Sequence, residues 1–174
     1  MPRDHVNWPK AIFESLNECK ISEVAYVPDA GHAQLIDLCL ESDSMVMIPL
    51  TSEEEGIAFL CGAWLGGKRG VLLLQSSGVG NCVNMFSLAR TCRLPLLMLV
   101  TMRGEYGEFN PWQIPMGQLT PKVLEASGTI VYDVQNASDL GPTVSAAARI
   151  VFEGPVQAAV LIGQSVIGAK SFGR

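Results

Sequence analysis

Residues Pro49 to Asn81 read PLTSEEEGIAFLCGAWLGGKRGVLLLQSSGVGN, and the change of period within them decides the fold. From about Glu53 to Leu65 apolar residues recur at helical spacing. After GGKRG the run Val71 to Leu74 is apolar at every position, and QSSGVGN then opens a glycine-rich loop before a second helix from about Asn81 to Thr91. A strand without a polar face has to be covered on both sides. Helix, two-faced strand and helix make a unit of a parallel sheet with helices above and below it.

The same alternation extends in both directions. Strands are predicted at Val24 to Val27, Met45 to Leu50, Leu96 to Thr101, Ile130 to Tyr132 and Val156 to Ile162. Helices are predicted from Ala33 to Leu40, near Lys122 to Ala126, and from about Leu140 to Phe152, with residues 1–20 as a further N-terminal helix and a tail over 164–174. The expectation is a doubly wound α/β domain with an about six-stranded parallel sheet. With 174 residues the chain suits one such domain and is short for two.

Composition narrows the function. Lys and Arg number 12 against 17 Asp and Glu, for a net charge of −5, and the longest basic run is the pair Lys68-Arg69. Such a chain is poorly suited to phosphate backbones, so nucleic acid is not an expected partner. The N-terminal MPRDHVNWPK has no apolar signal core, and runs such as LPLLMLV fall short of the roughly 20 residues that span a bilayer. A soluble, cytoplasmic protein with no membrane partner is expected. Hydrophobic residues make up 48% of the chain and mean hydropathy is +0.27, which predicts apolar surface covered by another subunit. Five cysteines without a CxxC pair read as reduced core thiols, and His5 and His32 alone make a protein-built metal site an unsuitable reading.

In doubly wound sheets ligands sit beyond the carboxyl ends of the strands. Four segments fall there: PDAGH, TSEEEG, QSSGVGN and TMRGEYGEFNPWQIPMGQ. In TSEEEG, Thr51 with Glu54 and Ser52 with Glu55 form possible capping boxes, and acids in a first helical turn complement the macrodipole. Successive helical residues point about 100° apart, so one of the three acids turns towards the sheet or a neighbour. A carboxyl placed between apolar strand and apolar helix would have a raised pKa and could exchange a proton near neutral pH. QSSGVGN lacks the third glycine of GxGxxG, since Val83 stands there, and it has no GKS or GxSxG, so a dinucleotide loop or nucleophilic serine is disfavoured against a tight strand-to-helix turn.

PLTSEEEGIAFLCGAWLGGKRGVLLLQSSGVGN, LPLLMLVTMRGEYG and QIPMGQ, taken in order, resemble the pyrimidine-binding domain of thiamine-diphosphate-dependent decarboxylases. The resemblance runs from about Val24 to Ile162 and points to the alpha subunits of sulfopyruvate decarboxylase, with phosphonopyruvate decarboxylases as near relatives sharing the RGExG stretch. It implies a glutamate two residues before a glycine as the group that shares a proton with N1′ of the cofactor's aminopyrimidine. That glutamate is Glu54, ahead of Gly56.

The resemblance further implies that Ser77, Gly78 and Asn81 line the pyrimidine side and that Gln113 lies near the reacting carbonyl. It places Asp29, Gly31 and His32 at the substrate mouth. Arg103 or His32 would meet an anionic group of the substrate, while the other readings make Arg103 an ion-pair partner of Glu105 or Glu108 and His32 a helix-start residue. Family members hold the diphosphate and its Mg2+ through a GDG and a later Asn on a second domain. No GDG occurs in these residues, so the resemblance implies a beta subunit carrying the diphosphate-binding domain, in a hetero-oligomer of at least two alpha and two beta chains. The expected activity is decarboxylation of 3-sulfopyruvate to sulfoacetaldehyde. The alternatives are a subunit acting on phosphonopyruvate or another 2-oxo acid, and a non-catalytic pyrimidine-domain partner.

Overall fold

The computed structural model describes residues 6–168; the outer parts of the expected N-terminal helix and tail, and His5 with them, lie outside the described residues. Among the described residues six strands run in the order β1 Glu23–Tyr26, β2 Val46–Pro49, β3 Gly70–Gln75, β4 Leu96–Thr101, β5 Ile130–Val134 and β6 Gln157–Ile162. They pair all in parallel, in the spatial order β2-β1-β3-β4-β6-β5. The order reverses between β1 and β3, so the loops after these strands diverge and leave a crevice at their carboxyl ends.

Among the described residues eight α-helices connect and flank the strands: α1 Trp8–Glu18, α2 Ala33–Leu40, α3 Glu53–Leu65, α4 Ser76–Cys82, α5 Phe86–Thr91, α6 Ile114–Ala126, α7 Leu140–Glu153 and α8 Gln164–Ile167. The central strands β3, β4 and β6 feed both faces by simple alternation. Val71, Leu73, Leu97, Leu99, Ala158 and Val160 join a core with α1, α2 and α7; Leu72, Leu74, Met98, Val100, Ala159 and Leu161 join a second core with α3 to α6. The outer strands β2 and β5 are only partly covered, and Pro49, which has no N–H to donate, ends an edge strand where that costs least.

Two segments depart from the sequence expectation. QSSGVGN is not a loop: α4 starts at Ser76, directly after β3, and neither Gly78 nor Gly80 has positive φ. Gly78 is required by space, because a Cβ there would lie 2.2 Å from Oε1 of Glu53. The helix expected near Lys122 begins at Ile114, eight residues earlier. Pro115 sits in its first turn, where a missing N–H is harmless, and Gly117 lets the helix lie on the preceding loop, since a Cβ would come within 1.8 Å of the Arg103 carbonyl oxygen. Among the cysteines, Cys39, Cys61 and Cys82 are buried thiols as expected, whereas Cys92 is exposed. Among the described residues no helix is long and apolar enough to cross a membrane.

Candidate functional site

The carboxyl ends of β1 and β3 carry two polar clusters that meet at the start of α4. The first contains Glu53. It is the first residue of α3, and residues three, four, seven and eight positions on (Gly56, Ile57, Leu60 and Cys61) are the buried face of that helix. Glu53 therefore continues the apolar stripe and is only 8% exposed. Asn81 Nδ2 donates to its Oε2 at 2.8 Å, and the carboxyl lies over the bare Cα of Gly78. Oε1 accepts no hydrogen bond from the described residues.

Glu54 has the opposite surroundings to those expected of it. Its side chain faces the surface and accepts a hydrogen bond from Ser52 Oγ, which holds its carboxyl below the usual pKa rather than above it. The reason is helix phase: one step of about 100° separates it from Glu53. Glu55 reaches back to the Thr51 N–H at 2.9 Å, and Ser52, at the N-cap, makes no side-chain capping bond. The inward-turned member of the triplet is Glu53.

The second cluster is built around Asp29. Arg103 Nη2 lies 3.1 Å from its Oδ1, with the two side chains 5% and 7% exposed. Thr101 Oγ1 donates to Oδ2 at 2.7 Å, the Gly31 N–H donates to Oδ2 at 3.0 Å, and Gln75 Nε2 donates to Oδ1 at 3.0 Å. Burial pushes the Asp29 carboxyl up, but the Thr101 hydrogen bond, the Arg103 charge and Gln75 together hold it below its ordinary value. Gln75 Oε1 in turn accepts from Ser77 Oγ at 2.8 Å and from Gln113 Nε2 at 3.0 Å.

Arg103 is thus paired with neither Glu105 nor Glu108; its guanidinium is paired with Asp29 and borders a small cleft. Glu108 instead caps the turn of its own loop through the Gly104 and Asn110 N–H groups, and Gln164 of α8 braces Glu105 and Glu108. Gly31 is buried against Asp29 and Thr101, not placed at a mouth.

His32 occupies the N-cap position of α2 but caps nothing; its ring is fully buried, with Nε2 at 3.1 Å from the Leu99 carbonyl oxygen and 3.3 Å from that of Leu74. Both partners only accept, so Nε2 carries the hydrogen and Nδ1, which has no partner among the described residues, is bare. Burial pushes the imidazole pKa down from 6.5 to about 4. The unfolded chain therefore takes up this proton first, and the stability His32 supplies is complete above pH 6.5 and is lost as pH falls towards 4. Urea unfolding between pH 7 and pH 4 is expected to show about 3 kcal/mol of this loss in the wild type and to lack it in His32→Gln. Equal slopes in the two proteins would refute the assignment.

Ser77, Gly78, Asn81 and Gln113 come together around the start of α4 as a set, joined by Glu53, Gln75 and Thr101, which sequence reasoning passed over. Glu53 was detectable as the residue one helical stripe back from Ile57, Leu60 and Cys61. Gln75 was detectable as the single polar residue ending an apolar strand. A cleft of about 50 Å³ lies between Gln75, Arg103, Gln113 and the loop at Glu108 to Asn110. The roomier hollow, about 700 Å³, opens by Asn7, Gln34, Gln135 and Ser165, away from Glu53, and among its described lining residues none is titratable.

No family model matches the chain. It is 38% identical over 116 residues to the sulfopyruvate decarboxylase subunit alpha of Methanocaldococcus jannaschii, covering 66% of this chain and 69% of that one. It is 35% identical over 124 residues to the sulfopyruvate decarboxylase of Methanosarcina acetivorans, covering 71% of this chain but 32% of the longer relative. The fold is similar, with a TM-score of 0.72 and 14% identity, to a 2-oxoglutarate:ferredoxin oxidoreductase from Magnetococcus marinus, over 92% of this chain and 29% of that one.

Proposed function

This chain belongs to the sulfopyruvate decarboxylase alpha-subunit family, and we propose that it is the pyrimidine-holding subunit of a thiamine-diphosphate-dependent enzyme that converts 3-sulfopyruvate to sulfoacetaldehyde and CO2. The observation that carries the reading is the buried Glu53 carboxyl, fixed by Asn81 through one oxygen and presenting the other over a glycine. That arrangement fits an aminopyrimidine, whose ring nitrogen pairs with a carboxyl oxygen; the bare Cα of Gly78 makes the room that the inward-turned Glu53 carboxyl itself occupies. Glu53 then holds or yields a proton at Oε1, in the role the sequence reading gave to Glu54. Bound there, thiamine diphosphate would supply the carbon that adds to the 2-oxo group and the ring that takes up the electron pair when CO2 leaves.

The remaining residues position and exclude. Asn81 keeps the Glu53 carboxyl from swinging to solvent, and Ser77 and Gln113 line the approach from the Gln75 side. The substrate's sulfonate needs cationic or N–H donors, and Arg103 is already paired, so the reading assigns those donors to a beta subunit that also holds the diphosphate and Mg2+. Two features favour such a partner. The Methanosarcina relative is about three times the length of the matched region, and α3 is apolar on its outer face as well, with Phe59 and Leu65 exposed.

Reconstitution with the beta subunit, thiamine diphosphate and Mg2+, followed by CO2 release from 3-sulfopyruvate, phosphonopyruvate and pyruvate, tests the proposal. Sulfopyruvate is expected to turn over fastest. A preference for phosphonopyruvate would move the substrate, and release from none of the three would leave the chain a non-catalytic partner.

A further inference from the structure

The hydrogen bonds running outward from Asp29 have a forced direction. An ionised carboxylate only accepts, and with Arg103, Thr101 and the Gly31 N–H already against it, Asp29 compels Gln75 to turn its NH2 inward. The Gln75 carbonyl oxygen must then face outward. It too only accepts, so Ser77 Oγ and Gln113 Nε2 are both compelled to donate to it. Gln113 is left with Oε1 directed away from Gln75 and without a hydrogen bond from the described residues. The orientation of a half-buried amide on the loop after β4 is thus set by a buried ion pair two links away.

We infer that Gln75 is a positioning residue: it relays the polarity of the Asp29–Arg103 pair to Gln113 and Ser77, so that Ser77 Oγ is left only as an acceptor and Gln113, which lines the cleft, turns its acceptor Oε1 away from Gln75 and keeps one spare N–H. The inference rests on the function proposed above. It assigns Gln113 Oε1 and Ser77 Oγ to an N–H or O–H group of cofactor or substrate and removes Ser77, whose one hydrogen is spent on Gln75, as a candidate for the sulfonate. Without the relay, the Gln75 and Gln113 amides are free to turn over, and a donor would then face a donor on the ligand.

The test combines a spectroscopic and a kinetic reading. In 15N-labelled full-length chain, Gln75→Met is expected to shift the Gln113 side-chain amide resonances and to remove their protection from solvent exchange, with the backbone resonances of β5 and β6 unmoved. In the reconstituted enzyme, Gln75→Met is expected to lower kcat roughly tenfold to a hundredfold, with KM changed less than threefold, as misplacement of a positioned group does. In a Gln113→Met background the same change should cost less than threefold, because its route is already cut. Unmoved Gln113 resonances, or an equal loss of kcat in both backgrounds, would overturn the relay. If the wild-type complex turns over but Gln75→Met fails in this way, only the relay is lost; if Glu53→Gln leaves turnover intact, it is the underlying function that is wrong.

Discussion

Glu53→Gln is expected to reduce kcat of the reconstituted enzyme by roughly 10²- to 10⁴-fold, the usual worth of a positioned proton-transfer group, while Glu54→Gln leaves it within a few-fold of wild type. The glutamine amide keeps the size of the side chain and an oxygen to accept from Asn81, so the junction of α3 with α4 is retained and only the exchangeable proton is removed. Gly78→Ala should act through the same carboxyl from the other side. Its Cβ would lie 2.2 Å from Oε1, 2.4 Å from Cδ and 2.6 Å from Cγ of Glu53, so the carboxyl has to swing away. Steady-state kinetics on the three variants, with circular dichroism to verify folding, decide between the two glutamates. Loss of activity in Glu54→Gln with a working Glu53→Gln would reverse the assignment.

The second large effect is on stability. Asp29→Ala is expected to cost about 3–5 kcal/mol, because it leaves the Arg103 guanidinium, only 5% exposed, without its counter-charge and removes the acceptor for Thr101, Gln75 and the Gly31 N–H. Arg103→Leu should cost less than Asp29→Ala, since the three remaining donors still satisfy the carboxylate. The double variant Asp29→Ala/Arg103→Leu should be more stable than the sum of the single effects implies, as no charge is left behind. Urea midpoints and slopes measure all three, and a loss below about 1 kcal/mol for Asp29→Ala would mean that solvent reaches the pair as it reaches a surface salt bridge.

Glu53 and Arg103 show where a one-dimensional reading stops. The triplet was visible, and so was the need for one acid to turn inward. Which one depends on the rotational phase of α3, and that phase is set when Gly56 packs beneath Leu50 and Leu72 and Asn81 arrives from α4. Arg103 had two carboxylates within five residues, yet its partner is Asp29, 74 positions away. A local search finds Glu105 and Glu108 first; β1 and β4, brought to the same end of the sheet, supply a partner that excludes water. His32 likewise read as a substrate-mouth or helix-start residue, whereas the carbonyls of β3 and β4 hold its ring in the interior.

The number and parallel direction of the strands follow from the sequence alone, because an apolar run without a polar face can be buried in few ways and its alternation with helical period leaves one class of sheet. That the polar and glycine-bearing segments collect beyond the carboxyl ends of the first four strands follows too. Tertiary structure alone decided which carboxyl is buried, which cation is spent and which way each amide points. Those properties depend on contacts between residues tens of positions apart, with energies set by desolvation that only the folded packing creates.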